Sequence, residues 1–267
     1  MDKPIKCFIV EGIDRDYRFV NEMVITLFKG RYDSLTIFLP AEQNIYMLYQ
    51  KLQKDGFETD LIELLREENS EAAKALEGIE RQRIDEIFLF FDYDIHQDNL
   101  KNGKYPLDVL REMVSFYNNE TENGKLYISY PMVEALYDYS DGYCQSFTQC
   151  FYPISQIDQY KERVGSNNRN AARRYTKYED WKMILSLFGL RIQCLFDVDK
   201  LDYKYYSSNV TVEAIFDLQR RLLQQSKDVF VLSAFPEFVL DYFKASFWNV
   251  HINRRKNKFQ YCPKQPQ

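Results

Sequence analysis

Two aspartates directly follow an apolar segment of the chain. Residues Ile87 to Phe91 are all apolar, and Asp92, Tyr93 and Asp94 come next. Side chains two residues apart on a strand point to the same face, so these two carboxylates repel each other unless a cation lies between them. Mg²⁺ and Mn²⁺ take oxygen ligands of this kind. The pair therefore predicts a metal site at the end of a buried strand.

A third carboxylate ends the first apolar segment. Residues 6–12 read KCFIVEG, with Glu11 at the end of a predicted strand and Gly12 at the turn. In an open parallel sheet, functional groups collect where the strands reach their carboxyl ends. If the strands that end in Glu11 and Asp92 are neighbours, we expect Glu11, Asp92 and Asp94 to converge on one small volume. Such a cluster is unfavourable alone and becomes a site of hard oxygen ligands with a divalent cation.

The elements that must position these carboxylates alternate in the first half of the chain. Apolar periodicity predicts strands at 6–12, 34–41, 84–94 and 125–131, and helices at 14–28, 42–56, 60–83, 106–119 and 131–139. This order is typical of a parallel sheet with helices on both faces. After about residue 140 the pattern predicts helices at 146–164, 178–196, 210–226 and 235–248, with 197–209 as a connection. We therefore predict an α/β fold: a parallel-sheet domain over 1–140, then a helix-rich domain over 141–267.

Composition and charge limit the function classes. The 267 residues are 45% hydrophobic and 16% aromatic, enough to build the core of a globular protein. The net charge of -5 argues against a protein that coats nucleic acid by bulk electrostatics. No apolar run approaches the roughly 20 residues of a membrane span, and the first residues turn acidic too soon for a signal peptide. We expect a cytoplasmic protein without membrane contact.

The cysteines favour neither a disulfide framework nor a zinc site. There are five, an odd number, and none is in CxxC spacing. We expect reduced thiols, several of them in the core. They are Cys7, Cys144, Cys150, Cys194 and Cys262.

The FIVEG segment, followed two strands later by an apolar strand ending in DYD, resembles the TOPRIM domain of topoisomerases, bacterial primases, small nucleases and overcoming-lysogenization-defect nucleases. The order of elements between the two motifs is also similar. The resemblance covers about residues 1–140. It implies a Rossmann-like sheet, a divalent metal and phosphodiester chemistry on DNA or RNA. It further implies that Glu11 is a metal ligand or general acid/base, and that Asp92 and Asp94 bind Mg²⁺ or Mn²⁺.

One position departs from the family pattern. Many TOPRIM nucleases carry an acidic residue four positions after the glutamate, and Arg15 stands there, between Asp14 and Asp16. Either neighbour could take that role, or a second metal could be bound in another way. Asp14 could instead be only the N-cap of the following helix.

Two further residues are candidates for catalysis. Glu134 lies in the first turn of the helix after the fourth predicted strand, where small defence-associated TOPRIM nucleases have an acidic residue. It could instead be solvated or interact with the helix dipole. His96 follows DYD and could bind a phosphate or transfer a proton, or be an ordinary exposed loop residue. The alternative for Asp92, Asp94 and Asp98 together is a polar loop after a core strand.

Two basic segments could contact nucleic acid or supply a cation to the site. Residues 163–182 carry six Lys/Arg against two acids, and 251–264 carry five and no acid. The candidates are Lys161, Arg173, Arg174, Lys177, Arg254 and Arg255, with Phe259 and Tyr261 interleaved for base stacking. A solvated helix face and a frayed tail are the alternatives for the two segments.

Within the family, the size and helical second half are similar to the stand-alone TOPRIM effectors of bacterial anti-phage systems, such as the AriB-like nucleases of the PARIS system. This resemblance implies a toxic nuclease acting on DNA or RNA, including tRNA, that works with a separate ATPase. The chain itself has no GxxxxGK[ST] motif for an ATPase of its own. The aromatic segment at 129–153 suggests an interface, and we expect a homo-oligomer.

Two other functions remain open. A non-catalytic binding or regulatory protein would be favoured if Glu11 pointed away from the DYD motif or if no cation lay near it. A phosphohydrolase of the haloacid dehalogenase type also uses an apolar strand followed by DxD. In that class the first aspartate is the nucleophile on the first strand, whereas DYD follows the third strand here and Glu11 has no role.

Overall fold

The computed structural model describes residues 3–28, 34–95, 100, 104–139, 150–165 and 173–251. The chain divides into two compact units, Met1–Ile128 and Ser129–Gln267. The predicted α/β class is confirmed in its general form, because the first unit has a mostly parallel central sheet with many helices around it. The predicted domain bounds, 1–140 and 141–267, and the TOPRIM assignment stay predictions.

The sheet of the first unit is built around strand β1, whose six residues are all buried. The strands are β1 (Ile5–Val10), β2 (Leu35–Pro40), β3 (Ile84–Asp92), β4 (Asn118–Asn119) and β5 (Gly124–Ser129), in the order β2-β1-β3-β5-β4. β1 pairs in parallel with both β2 and β3, and β4 and β5 form an antiparallel hairpin. The sequence did not predict β4, because two residues have no detectable period. The neighbours β1 and β3 are the two strands that the carboxylate hypothesis requires side by side.

The helices of the first unit connect these strands. They are α1 (Arg15–Leu27), α2 (Ile45–Leu52), α3 (Leu61–Glu68), α4 (Ser70–Ala75) and α5 (Pro106–Phe116). The connection from β1 to β2 and the connection from β2 to β3 run in opposite directions along the sheet. Right-handed crossovers therefore place α1 on one face and α2 to α4 on the other. On the α1 face, the Phe8 ring packs against Phe38, Phe90 and, at the end of α1, Phe28.

The helical segment predicted over 60–83 forms two helices, α3 and α4, because Asn69 divides it. Its backbone is extended, with φ -126° and ψ 114°, and its side-chain oxygen accepts hydrogen bonds from the backbone N–H groups of Glu71 and Ala72. Asn competes in this way with the backbone hydrogen bonds of a helix. Its amide nitrogen donates to the Pro40 carbonyl at 2.9 Å, so the break also ties the start of α4 to the end of β2.

The second unit is mainly helical but contains a small sheet. Its helices are α6 (Tyr160–Gly165), α7 (Tyr178–Leu195), α8 (Tyr203–Asn209), α9 (Val212–Ser226) and α10 (Ala234–His251), and β6 (Phe151–Pro153) pairs antiparallel with β7 (Asp228–Phe230). α7 and α9 confirm their predictions, and α10 confirms its prediction with a kink at Lys244, where φ is +54° and ψ is -144°. The helix predicted over 146–164 is wrong in its first part, which contains β6, and the connection predicted over 197–209 contains α8. The helix predicted over 131–139 is a 3₁₀ helix, Val133–Tyr139.

Buried side chains satisfy the backbone of the small sheet. Gln219 of α9 is fully buried and bonds both the N–H and the carbonyl of Phe230, at 3.0 and 2.7 Å. Arg191 of α7, also buried, donates to the Val231 carbonyl at 2.7 Å. A two-stranded sheet leaves many backbone groups unpaired, and a buried unpaired group is unfavourable. These side chains explain how strands too short to show a sequence period are held in place.

Two predictions from composition can be compared with the structure. Cys7 and Cys150 are buried free thiols and Cys194 is partly buried, while Cys144 and Cys262 lie outside the described residues. No helix in the part of the chain that the structure describes is long and apolar enough to cross a membrane.

Gly124, at the start of β5, allows β5 to approach β3 closely. Its φ is +116°, and a Cβ there would lie 2.7 Å from Leu89 Cδ1. We expect Gly124→Ala to lower the free energy of unfolding by about 3 kcal/mol, from backbone strain plus the clash. The matched control is Gly78→Ala, at φ +69° with nothing within 4 Å, which should lower it by only about 1 kcal/mol. Urea denaturation measures the free energy of unfolding of both variants. Equal losses would contradict the close approach of β5 to β3 at Gly124.

Candidate functional site

The carboxyl ends of β1 and β3 meet at Glu11 and Asp92. β1 and β3 are paired as far as Val10 and Phe90, and Glu11 is the next residue of its strand. The Oε2 atom of Glu11 accepts a hydrogen bond of 3.1 Å from the backbone N–H of Asp92. The Glu11 side chain therefore turns towards the end of β3 and its DYD motif.

This edge of the sheet is its topological switch point. The chain leaves β1 towards β2 on one side and later returns to β3 on the other side. In open α/β sheets, ligands bind in the crevice at such a point, beyond the carboxyl ends of the strands. Since α1 and α2 directly follow β1 and β2, their N-terminal ends lie at this edge, where the helix dipole favours negative charge. Carboxylates or phosphates are the groups that this environment stabilises.

A buried tyrosine fixes the peptide between the two aspartates. Tyr46, in the first turn of α2, is fully buried, and its hydroxyl donates a hydrogen bond of 2.7 Å to the Tyr93 carbonyl oxygen. Burial raises the pKa of Tyr46 well above its ordinary value, and the charges of Tyr93, Asp94 and Glu11 raise it further. The carboxylates of Glu11 and Asp94 therefore both act electrostatically on the buried Tyr46 hydroxyl.

Asp94 has an unusual backbone conformation. Its φ is +37°, in the left-handed region that residues other than glycine rarely adopt. Such strain persists only where the surrounding structure holds it, and it is concentrated at functional sites. The hydrogen bond from Tyr46 to the preceding carbonyl is one contact that holds it.

Sequence reasoning missed two residues at this edge, Tyr46 and Glu42. Glu42 follows β2 much as Glu11 follows β1, and its N–H donates to the Glu11 carbonyl oxygen at 3.0 Å. It also has a left-handed φ of +52°, and its carboxylate accepts a hydrogen bond of 3.0 Å from Asn69. The strand-end position could have indicated Glu42. For Tyr46 the only signal is that a buried tyrosine hydroxyl needs a partner.

The structure distinguishes the two aspartates beside Arg15. α1 begins at Arg15, so Asp14 occupies the N-cap position, exposed and without a side-chain capping hydrogen bond. Asp16 lies in the first turn, and its Oδ2 atom is 3.2 Å from where a Cβ on Gly12 would be. The Asp16 carboxylate therefore turns back over the turn that follows Glu11.

Glu134 belongs to the second unit and is buried. Only 2% of it is exposed, so the solvated alternative is wrong. Its Oε1 atom lies 3.7 Å from Nζ of Lys161, a residue that the sequence suggested as a cation for the carboxylate site. The prediction that Glu134 faces the carboxylates of β1 and β3 stays a prediction, as does the catalytic role of Lys161.

Two arginines of the basic segment 163–182 lie near acidic side chains. Arg173 lies 3.8 Å from Asp180, and Arg163 lies 3.5 Å from Asp138. Nucleic-acid contact by Arg173, Arg174 and Lys177 stays a prediction. The candidates His96, Asp98, Arg254 and Arg255 lie outside the described residues.

The donor chemistry of the strand ends fits a hard divalent cation. Glu11, Asp92 and Asp94 supply the carboxylate oxygens that Mg²⁺ and Mn²⁺ take in proteins. Among the residues with described positions, no group of three or more His, Cys, Asp or Glu is already arranged to hold a metal ion. The Glu11 carboxylate instead accepts the Asp92 N–H.

No protein-family model, no curated protein and no solved structure matches this chain.

Tyr46→Phe removes one buried hydrogen bond and leaves the Tyr93 carbonyl without it. We expect the free energy of unfolding to fall by about 1–3 kcal/mol, the effect of leaving a buried acceptor unsatisfied. Tyr49→Phe, one helical turn away, is the control. Its hydroxyl bonds to Lys104 and Glu112, which still pair with each other, so we expect a loss below about 1 kcal/mol. Equal losses in urea denaturation would contradict the anchoring role of Tyr46.

Replacing Asp94 by glycine should relieve its backbone strain. We expect Asp94→Gly to be more stable than Asp94→Ala by about 1 kcal/mol, because alanine keeps the unfavourable left-handed φ. Lys227→Gly and Lys227→Ala form the control pair, at a left-handed helix C-cap with φ +62°. Thermal or urea unfolding of the four variants tests this, and identical stability of the two Asp94 variants would show that the site is unstrained.

Proposed function

We propose that this protein is a divalent-metal-dependent nuclease that hydrolyses phosphodiester bonds in DNA or RNA. The observation that supports it most is the hydrogen bond from the Asp92 N–H to the Glu11 carboxylate at the switch point of the sheet. This bond brings the carboxylate of Glu11, the residue after β1, to the start of the DYD motif. The TOPRIM resemblance of the two motifs supports the same reaction.

In this proposal, Glu11, Asp92 and Asp94 hold Mg²⁺ or Mn²⁺. The bound ion supplies positive charge for the scissile phosphate and makes a bound water more acidic. Tyr46 keeps the peptide between the aspartates in place through its bond to the Tyr93 carbonyl. In this proposal the Glu11 carboxylate, next to Asp92, would also accept a proton from an attacking water. The start of α1 next to Glu11 favours the negative charge of the phosphate.

The positions of the carboxylates favour this function over the two alternatives. A haloacid dehalogenase-type enzyme needs its nucleophilic aspartate on the first strand, whereas β1 contains no aspartate and is followed by Glu11. A non-catalytic binding protein would be favoured if Glu11 pointed away from DYD, yet its carboxylate bonds to Asp92.

The biological setting is proposed from the resemblance alone. It is that of a toxic effector of bacterial anti-phage defence, acting in the cytoplasm as a homo-oligomer. An ATPase encoded separately would act as the sensor that releases it. A tRNA is one substrate that such an effector could cut.

We expect the protein to cut at least one of plasmid DNA, single-stranded DNA and total tRNA with Mg²⁺ or Mn²⁺, and not with EDTA. Glu11→Gln and Asp92→Asn should each reduce cutting by about two orders of magnitude or more. The amide oxygen of Glu11→Gln can still accept the Asp92 N–H, so a folding defect is not expected. Glu77→Gln, at an exposed acid after α4, is the charge-matched control and should cut normally.

Mn²⁺ binding is measured in parallel by thermal shift, because a ligand that binds only the folded protein raises the melting temperature. A shift that disappears in Asp92→Asn without any cutting would favour the non-catalytic binding function. Unchanged cutting by both variants would show that the site is elsewhere.

A further inference from the structure

The exposed apolar side chains of the first unit are concentrated at the edge that carries the carboxylates. Within the described residues, four of the six large exposed ones belong to the segments where α1, α2 and α5 begin. These four are Ile13, Tyr17, Met47 and Tyr105, and the other two are Ile25 and Leu35. Tyr105 is the most exposed of all, at 75%.

Tyr105 is exposed, although the Lys104 side chain before it and the backbone carbonyl of Tyr105 itself both make hydrogen bonds. Before it, Lys104 donates hydrogen bonds to the Tyr49 hydroxyl of α2 and, at 2.8 Å, to the Glu112 carboxylate of α5. After it, Pro106 begins α5 and restricts Tyr105 to an extended conformation, observed at φ -75° and ψ 138°. A tyrosine ring presents a large flat surface and has only two side-chain torsions to restrict on binding.

Contacts along α2 connect Tyr105 to the carboxylate site. Tyr46 bonds to the carbonyl between Asp92 and Asp94, and Tyr49 is the next residue on the same face of that helix. Lys104 bonds in turn to the Tyr49 hydroxyl. Since α5 follows β3, which ends at Asp92, the start of α5 and the exposed ring of Tyr105 belong to the same edge of the sheet as the proposed site of cleavage.

We propose that Tyr105 stacks on an unpaired base of the substrate, so that the protein prefers single-stranded DNA or RNA over a duplex. This substrate class rests on the proposed nuclease function. Aromatic side chains stack on bases whose faces are free, whereas the bases of a duplex are covered by their neighbours. Stacking also suits a protein with a net charge of -5, which cannot rely on bulk electrostatic attraction to phosphates.

The test is binding by the full chain in EDTA, which separates recognition from cleavage. Fluorescence anisotropy is measured with labelled single-stranded DNA, single-stranded RNA, the corresponding duplexes and an abasic single strand. We expect Tyr105→Ala to weaken binding of single strands that carry bases by about tenfold, and Tyr105→Trp to restore it. Binding of duplex and abasic strand should not change. Comparison of the affinities for single-stranded DNA and single-stranded RNA shows which of the two the protein prefers.

Two control variants, Ile25→Ala and Lys74→Gln, make the same kinds of change at positions away from Tyr105. Ile25→Ala removes an exposed apolar side chain from the far end of α1 and should have no effect. Lys104→Gln releases the anchor of Tyr105 and should weaken single-strand binding by a smaller factor. Lys74→Gln breaks a comparable exposed pair, with Glu71, and should not weaken it.

Several results would overturn the inference. They are equal affinity of Tyr105→Ala and wild type for every single strand, an equal loss on the duplex, or no binding of any single strand by wild type. Cutting that does not depend on Tyr105 would refute the inference and leave the nuclease function intact. Tyr105-dependent binding by a protein that cuts nothing would support the stacking role of Tyr105 and refute the nuclease function.

Discussion

The hydrogen bond between the Glu11 carboxylate and the Asp92 N–H is the contact on which the candidate site depends. It can form only because β1 and β3 are adjacent and parallel, and the chain reaches this arrangement by crossing β1 once, from β2 on one side to β3 on the other. Carboxylates crowded at one edge repel each other, and backbone N–H groups and the starts of helices offset part of that repulsion. Tyr46 adds a second constraint from α2, at the peptide that separates the two aspartates. Strand order and helix placement thus produce the acidic edge together.

Two of the six described residues other than glycine that have a positive φ lie at this edge. Lys227 has a left-handed φ, but it closes α9 at a C-cap, an ordinary way for a helix to end. Asp94 and Glu42 also have a positive φ, and both follow strands that end at the candidate site. Neither position ends a helix, so no capping role accounts for them. Proteins commonly give up stability where a functional side chain must be held in one direction.

Much of this fold could be predicted from the sequence, because long apolar periods specify their elements. The buried strand β1, the run before Asp92 and the helices α7, α9 and α10 all have such patterns. The same reasoning placed Glu11 and Asp92 at strand ends but could not show that their strands, β1 and β3, are neighbours in the sheet. It missed Asn69, because one polar residue does not interrupt an amphipathic pattern, and it missed β6 and β7, which depend on contacts with Gln219 and Arg191. The anchoring role of Tyr46 depends on a long-range contact of the same kind, 47 residues away in the chain.

The first unit is continuous in sequence, and this has a consequence for synthesis. Glu11, Asp92, Asp94 and the anchoring Tyr46 all lie within Met1–Ile128, whereas β6 must wait for β7, which follows α9. Domains generally fold as units, the N-terminal one first, while the ribosome is still adding residues. The acidic edge can therefore assemble on a nascent chain whose second unit has not yet been made. A cell that produces this protein would meet Glu11, Asp92 and Asp94 together before translation of the chain has ended.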